Sequence, residues 1–130
     1  MSLFHFATWT RYQSSLDAGE IPATWPECLS PLYPERVVWL TTDGDLQKQG
    51  WNDGSKVLAV RFTVNPPASE VFDWIEWRGD QSHPSPAQLT KLGRRSGGDP
   101  TAWRVVMRSL PRSEWVEIFN LEATKPIVGW

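Results

Sequence analysis

The chain has 130 residues and a net charge of −2, which suits one domain with its own core and gives no global pull toward nucleic acid or membrane. Its one cysteine, Cys28, excludes an internal disulfide and agrees with a reducing compartment. The first 20 residues lack a basic start and an apolar run, and no stretch approaches the roughly 18 apolar residues of a span, so a soluble cytoplasmic protein off the membrane is expected.

In chain order, Leu3–Ala7 (LFHFA) reads as a strand and Thr8 as the N-cap of a helix, with Trp9, Tyr12 and Leu16 at helical spacing. Gly19 is placed to end that helix in a left-handed turn. Residues 20–36 carry Pro22, Pro26, Pro31 and Pro34 and read as an ordered loop. RVVWLTT (36–42) and KVLAVRFTV (56–64) are β-branched and aromatic, hence strands, the second stopping at Pro66–Pro67. Between them, residues 43–55 hold three glycines, several charges and Trp51, the composition of a mobile lid. SEVFDWIEW (69–77) admits a short helix capped by Ser69 or a strand, and its second half reads better as strand. Residues 84–95 read as a short helix before a Ser96-Gly97-Gly98 turn, 102–108 and 114–122 as strands, and 123–130 as an extended tail. Few helices, not interleaved regularly with strands, predict an α+β fold with mostly antiparallel pairing.

Two compositional features bear on function. Nine tryptophans are more than one small core hides completely, so either some line a groove or interface or they serve as bulk filler. Residues 1–77 hold 5 Lys/Arg against 10 Asp/Glu, and residues 78–130 hold 8 against 5. That mildly basic second part is either solvated surface or a match for a phosphate-bearing ligand.

Strand alternation places side chains. Phe4 and Phe6 share one face of their strand, and Leu3, His5 and Ala7 the other. Leu58, Val60, Phe62 and Val64 oppose Val57, Ala59, Arg61 and Thr63. His5 and Arg61 therefore fall on the less apolar faces, and if the strands share one open side the two residues line one cleft. The alternative is a hydrogen-bonded histidine and a solvated arginine. No metal cluster, phosphate loop or hydrolase triad is present at the required spacings: His5, His83 and Cys28 are scattered, and Ser113–Glu114 has no neighbouring histidine.

The strings FHFAT, AGEIP, VVWLTTD and VLAVRFTV, over residues 3–64, resemble the opening of small ADP-ribosyltransferase-like domains, the layout of tRNA 2′-phosphotransferases and DNA-targeting ADP-ribosyltransferase toxins. The resemblance implies a split, mostly antiparallel sheet clasping NAD. It assigns His5 to the adenosine-side ribose, with Thr8 beside it, Thr41 and Thr42 under the nicotinamide, and Trp39 or Trp51 stacked on a flat ring; Arg61, on the strand VLAVRFTV, is the candidate for meeting the pyrophosphate. Such domains often carry a catalytic glutamate on a late strand. TAWRVVMR has no acid, and the nearest candidates are Glu114 and Glu117.

The expectation is therefore an NAD-binding ADP-ribosyltransferase-like domain acting on a macromolecular or small acceptor. The alternatives are a non-catalytic module that binds a nucleotide, or a protein partner through its tryptophans, on the same scaffold, and an unrelated α+β interaction domain.

Overall fold

The computed structural model describes residues 2–24, 36–46, 57–79 and 100–130. Among these residues the strands are β1 (Leu3–Ala7), β2 (Glu20–Ile21), β3 (Val38–Thr41), β4 (Val60–Val64), β5 (Phe72–Asp73), β6 (Trp103–Val106), β7 (Leu110–Pro111), β8 (Trp115–Asn120) and β9 (Lys125–Ile127). The α-helices among the described residues, α1 (Trp9–Ala18) and α2 (Trp74–Gly79), interrupt them. Seven strands form one continuous sheet in the order β5-β6-β3-β1-β4-β8-β9, and β2 pairs with β7 in a second, small sheet. Every pair of named strands is antiparallel, which bears out the α+β class. No helix among the described residues is long and apolar enough to cross a membrane.

The sequence dictates the central element. β1 lies in the middle of the sheet and pairs with β4 over its whole length, Leu3 opposite Val64, His5 opposite Phe62 and Ala7 opposite Val60. Opposed residues of an antiparallel pair project to the same face, so Leu3, His5 and Ala7 join Val60, Phe62 and Val64. Leu3, Ala7, Val60, Phe62 and Val64, with Val38, Leu40, Val106, Trp115 and Ile118, belong to the first core, and His5 lies among them on the same face. Helix α1 follows β1 directly and covers this face: Tyr12 packs its ring 6.0 Å from that of Phe62. The other face carries a second core of Val37, Trp74, Trp77, Trp103 and Val105, with Trp39 and Ile75 against it. β3 and β6 supply alternate residues to both.

The helix boundaries at residues 8 and 19 are as expected. Thr8 Oγ1 accepts a hydrogen bond from Arg11 N, and Gly19 adopts φ 71°, a conformation in which a Cβ is strained. Over 69–77 the expected second-half strand is replaced by a 3-10 turn at Ala68–Glu70, the two-residue β5 and helix α2. The reason is local. Asp73 Oδ1 accepts from the backbone N–H of Ile75 and of Glu76, which starts a helix. Trp74 and Trp77, three apart, then bury on one side. The predicted helix over 84–95 and most of the proposed lid, with Trp51, lie outside the described residues.

Candidate functional site

His5 projects from the middle of the central strand into the first core. Its Nδ1 lies 2.8 Å from the backbone carbonyl of Trp39. A carbonyl only accepts, so the neutral ring carries its proton on Nδ1 and leaves the lone pair on Nε2. The β1–β3 ladder is registered at Phe4↔Thr41, and the imidazole supplies a donor to Trp39 beside that pairing. Nε2 has no hydrogen-bond partner among the described residues, and His5 as a residue is only partly buried. Burial away from water holds the His5 pKa below its ordinary value; the Trp39 carbonyl opposes this and the charge of Arg11 adds to it. Phe62 tilts against the ring at 5.9 Å. The result is a partly buried neutral imidazole offering one acceptor.

Arg61 does not join it. Arg61 stands opposite Phe6 and Phe119, whereas His5 stands opposite Phe62, so the two project to opposite faces of the sheet. The expectation of a shared cleft is overturned by register. The face of β1 that carries His5 is the core face, because Leu3 and Ala7 are buried while Phe4 and Phe6 are only partly so.

The remaining candidates disperse. Thr8 spends its hydroxyl on capping α1. Trp39 presents its backbone to His5 and its ring to the far face, 4.5 Å from Trp74 and edge-on to Trp103 at 5.5 Å. Thr41 is buried on that far face, and its Oγ1 accepts from Asp43 N. Thr42 donates its backbone N–H to the Ala102 carbonyl. Glu114 is gripped by Arg108 through two 2.8 Å hydrogen bonds, and the same guanidinium binds Glu70. These two carboxylates, Glu114 foremost, hold Arg108 still more firmly protonated than usual. Glu117 lies on the far face, 4.0 Å from Arg61. Among the proposed nucleotide contacts, His5 and Thr8 remain on the side of the sheet that α1 covers.

Two residues were not singled out beforehand. Arg11 acts on His5 electrostatically and makes no side-chain hydrogen bond or ion pair among the described residues. Its position in the first turn of a helix that follows the His5 strand directly is a signal the sequence does carry. Glu70, which joins the Arg108 clamp across 38 positions, left no local trace. The chain matches no protein-family model, and no curated protein and no solved structure is significantly similar to it.

Proposed function

We propose that the chain is a nucleotide-binding module, with NAD or ADP-ribose as its ligand class, in which His5 Nε2 accepts a hydrogen bond from a ligand hydroxyl. One observation carries this reading: a partly buried imidazole at the centre of the sheet whose Nδ1–H is committed to Trp39 and whose Nε2 has no hydrogen-bond partner among the described residues. Structure alone requires only the Nδ1 bond; an apolar ring would fill the rest of the space without a second polar nitrogen. The ligand class comes from the resemblance of residues 3–64 to ADP-ribosyltransferase-like domains. Binding, and not transfer, is the function the geometry favours. Glu114 is neutralised by Arg108 and Glu117 lies across the sheet from His5, so neither stands beside a sugar held at Nε2.

Titration calorimetry with NAD, ADP-ribose and AMP tests this. His5→Ala removes both nitrogens and also leaves the Trp39 carbonyl unpaired, so the informative variant is His5→Asn, whose amide N–H replaces Nδ1–H and which lacks Nε2. Affinity is expected to fall by roughly tenfold in His5→Asn, the scale of one lost hydrogen bond, with the melting temperature nearly kept. Failure of all three ligands to bind at millimolar concentration overturns the reading, as does unchanged affinity in His5→Asn. Nicotinamide release that disappears in Glu114→Gln or Glu117→Gln would instead establish the transferase.

A further inference from the structure

Arg61 occupies a different environment on the opposite face, and one feature of it has no structural use. Its guanidinium carbon lies 5.4 Å from the ring centroid of Phe4 and 4.9 Å from that of Phe119. These rings come from β1 and β8, the strands on either side of β4. Nη1 donates to the Gly44 carbonyl at 2.9 Å, and Gly44 in turn is pressed on Phe4, since a Cβ added there would fall 3.2 Å from the ring. Flanking rings and one fixed hydrogen bond together set the orientation of the guanidinium. What remains is the edge formed by Nε and Nη2. Nη2 has Glu117 at 4.0 Å, within reach of charge attraction and beyond a hydrogen bond. Nε is closed off from solvent and has no partner, the one side-chain nitrogen or oxygen so placed among the described residues.

A shielded donor of a charged group left unpaired is uncommon in native interiors and calls for an explanation, of which a binding role is one. We propose that the Nε–Nη2 edge of Arg61 is a receptor for a carboxylate-bearing ligand, on a site separate from His5. The two parallel N–H groups of that edge match the two oxygens of a carboxylate. The Phe4 and Phe119 rings already lie against the guanidinium, so a stacked nucleobase does not fit, and because Nε has no contact with solvent in the free protein a flat carboxylate reaches the edge only as Glu117 moves aside. Glu117 is the incumbent: its side chain is 47% exposed against 22% for Arg61, so it swings into water at little cost and yields the edge to the ligand.

The test uses the 130-residue protein labelled with nitrogen-15 and follows the Arg61 Nε–H resonance, assigned through its side-chain correlations. Acetate and benzoate are titrated at constant ionic strength, with inorganic phosphate and sodium chloride as the other arms. A saturable shift of Arg61 Nε–H with the carboxylates, and at least fivefold tighter binding in Glu117→Ala, is the expected result. Three results overturn the proposal: no saturable shift with either carboxylate, an equal or stronger response to phosphate or chloride, or an Nε–H that is already hydrogen-bonded in the free protein and becomes free in Glu117→Ala.

Discussion

The two nitrogens of His5 have separate duties, and acid exposes the difference. Protonating the ring inside the fold places a cation in a partly buried site near Arg11, which is why its pKa lies below the ordinary value. In the unfolded chain the ring titrates near its unperturbed pKa, about 6.5. Between the depressed folded pKa and that value the unfolded state binds more protons, so stability is complete above about pH 6.5 and falls as the pH drops through the folded pKa. Urea denaturation between pH 7.5 and 5 is expected to show this decline, and His5→Phe, which cannot titrate, is expected to flatten that part of the slope. An identical slope in both proteins would assign the acid sensitivity to other groups. The oddity of a histidine in an aromatic strand was legible from LFHFA. Its orientation was not, because both faces of β1 meet apolar side chains and alternation alone does not say which is the deeper. Arg61 was misplaced for the same reason: a shared polar side is set by the register between strands, and register is a property of the pair, not of either sequence.

Helix α1 was the most legible element, since its signals are local. Thr8, the apolar spacing after it and Gly19 each act within four residues, and each is found in its expected place. That legibility bears on Thr8, which the family resemblance assigned to a ligand but whose hydroxyl accepts the Arg11 N–H at 3.2 Å. Thr8→Ala is expected to cost about 1 kcal/mol of stability. Thr8→Asp should cap as well or better, because α1 has no acidic residue in its first turn and a carboxylate there suits the helix dipole. Chemical denaturation measures both. If Thr8 contacts a nucleotide, Thr8→Asp will abolish binding while keeping stability; if it only caps, both survive. Helix α2 was less legible, as six residues rich in tryptophan satisfy a strand pattern as readily, and the deciding feature is the Asp73 cap. The irregularity of β8 left no pattern at all. Thr63 pairs with Glu117 and Val64 with Trp115, so Val116 drops out of the alternation and lies 57% exposed. This bulge sends Trp115 to the first core and Glu117 to the face of Arg61, although simple alternation puts them on one side.

Across the whole molecule, a single sheet carries a core on each face, and this explains much of the tryptophan content. Trp39, Trp74, Trp77 and Trp103 form a cluster with ring centroids as close as 4.5 Å, while Trp115 belongs to the first core with Phe62 at 5.1 Å. Among the described tryptophans, Trp9 stands out as exposed at 40% and is tied by Nε1 to Glu122; most of the others are structural filler, not a recognition surface. The two cores share their walls. β3 gives Val38 and Leu40 to the first and Trp39 to the second; β6 gives Val106 to the first and Trp103 and Val105 to the second. Neither core can dissolve while those strands keep their pairing, so the fold should melt as one unit. Trp74 is the test position because it is fully buried and central to the cluster. Trp74→Ala removes a large core ring and is expected to cost about 3–5 kcal/mol. The loss should lower two midpoints together: that of the near-ultraviolet circular dichroism from the tryptophan cluster, and that of the far-ultraviolet signal from the whole backbone. If the near-ultraviolet signal of the variant melts well before the far-ultraviolet one, the second core is an independent layer, and strand sharing does not couple the faces.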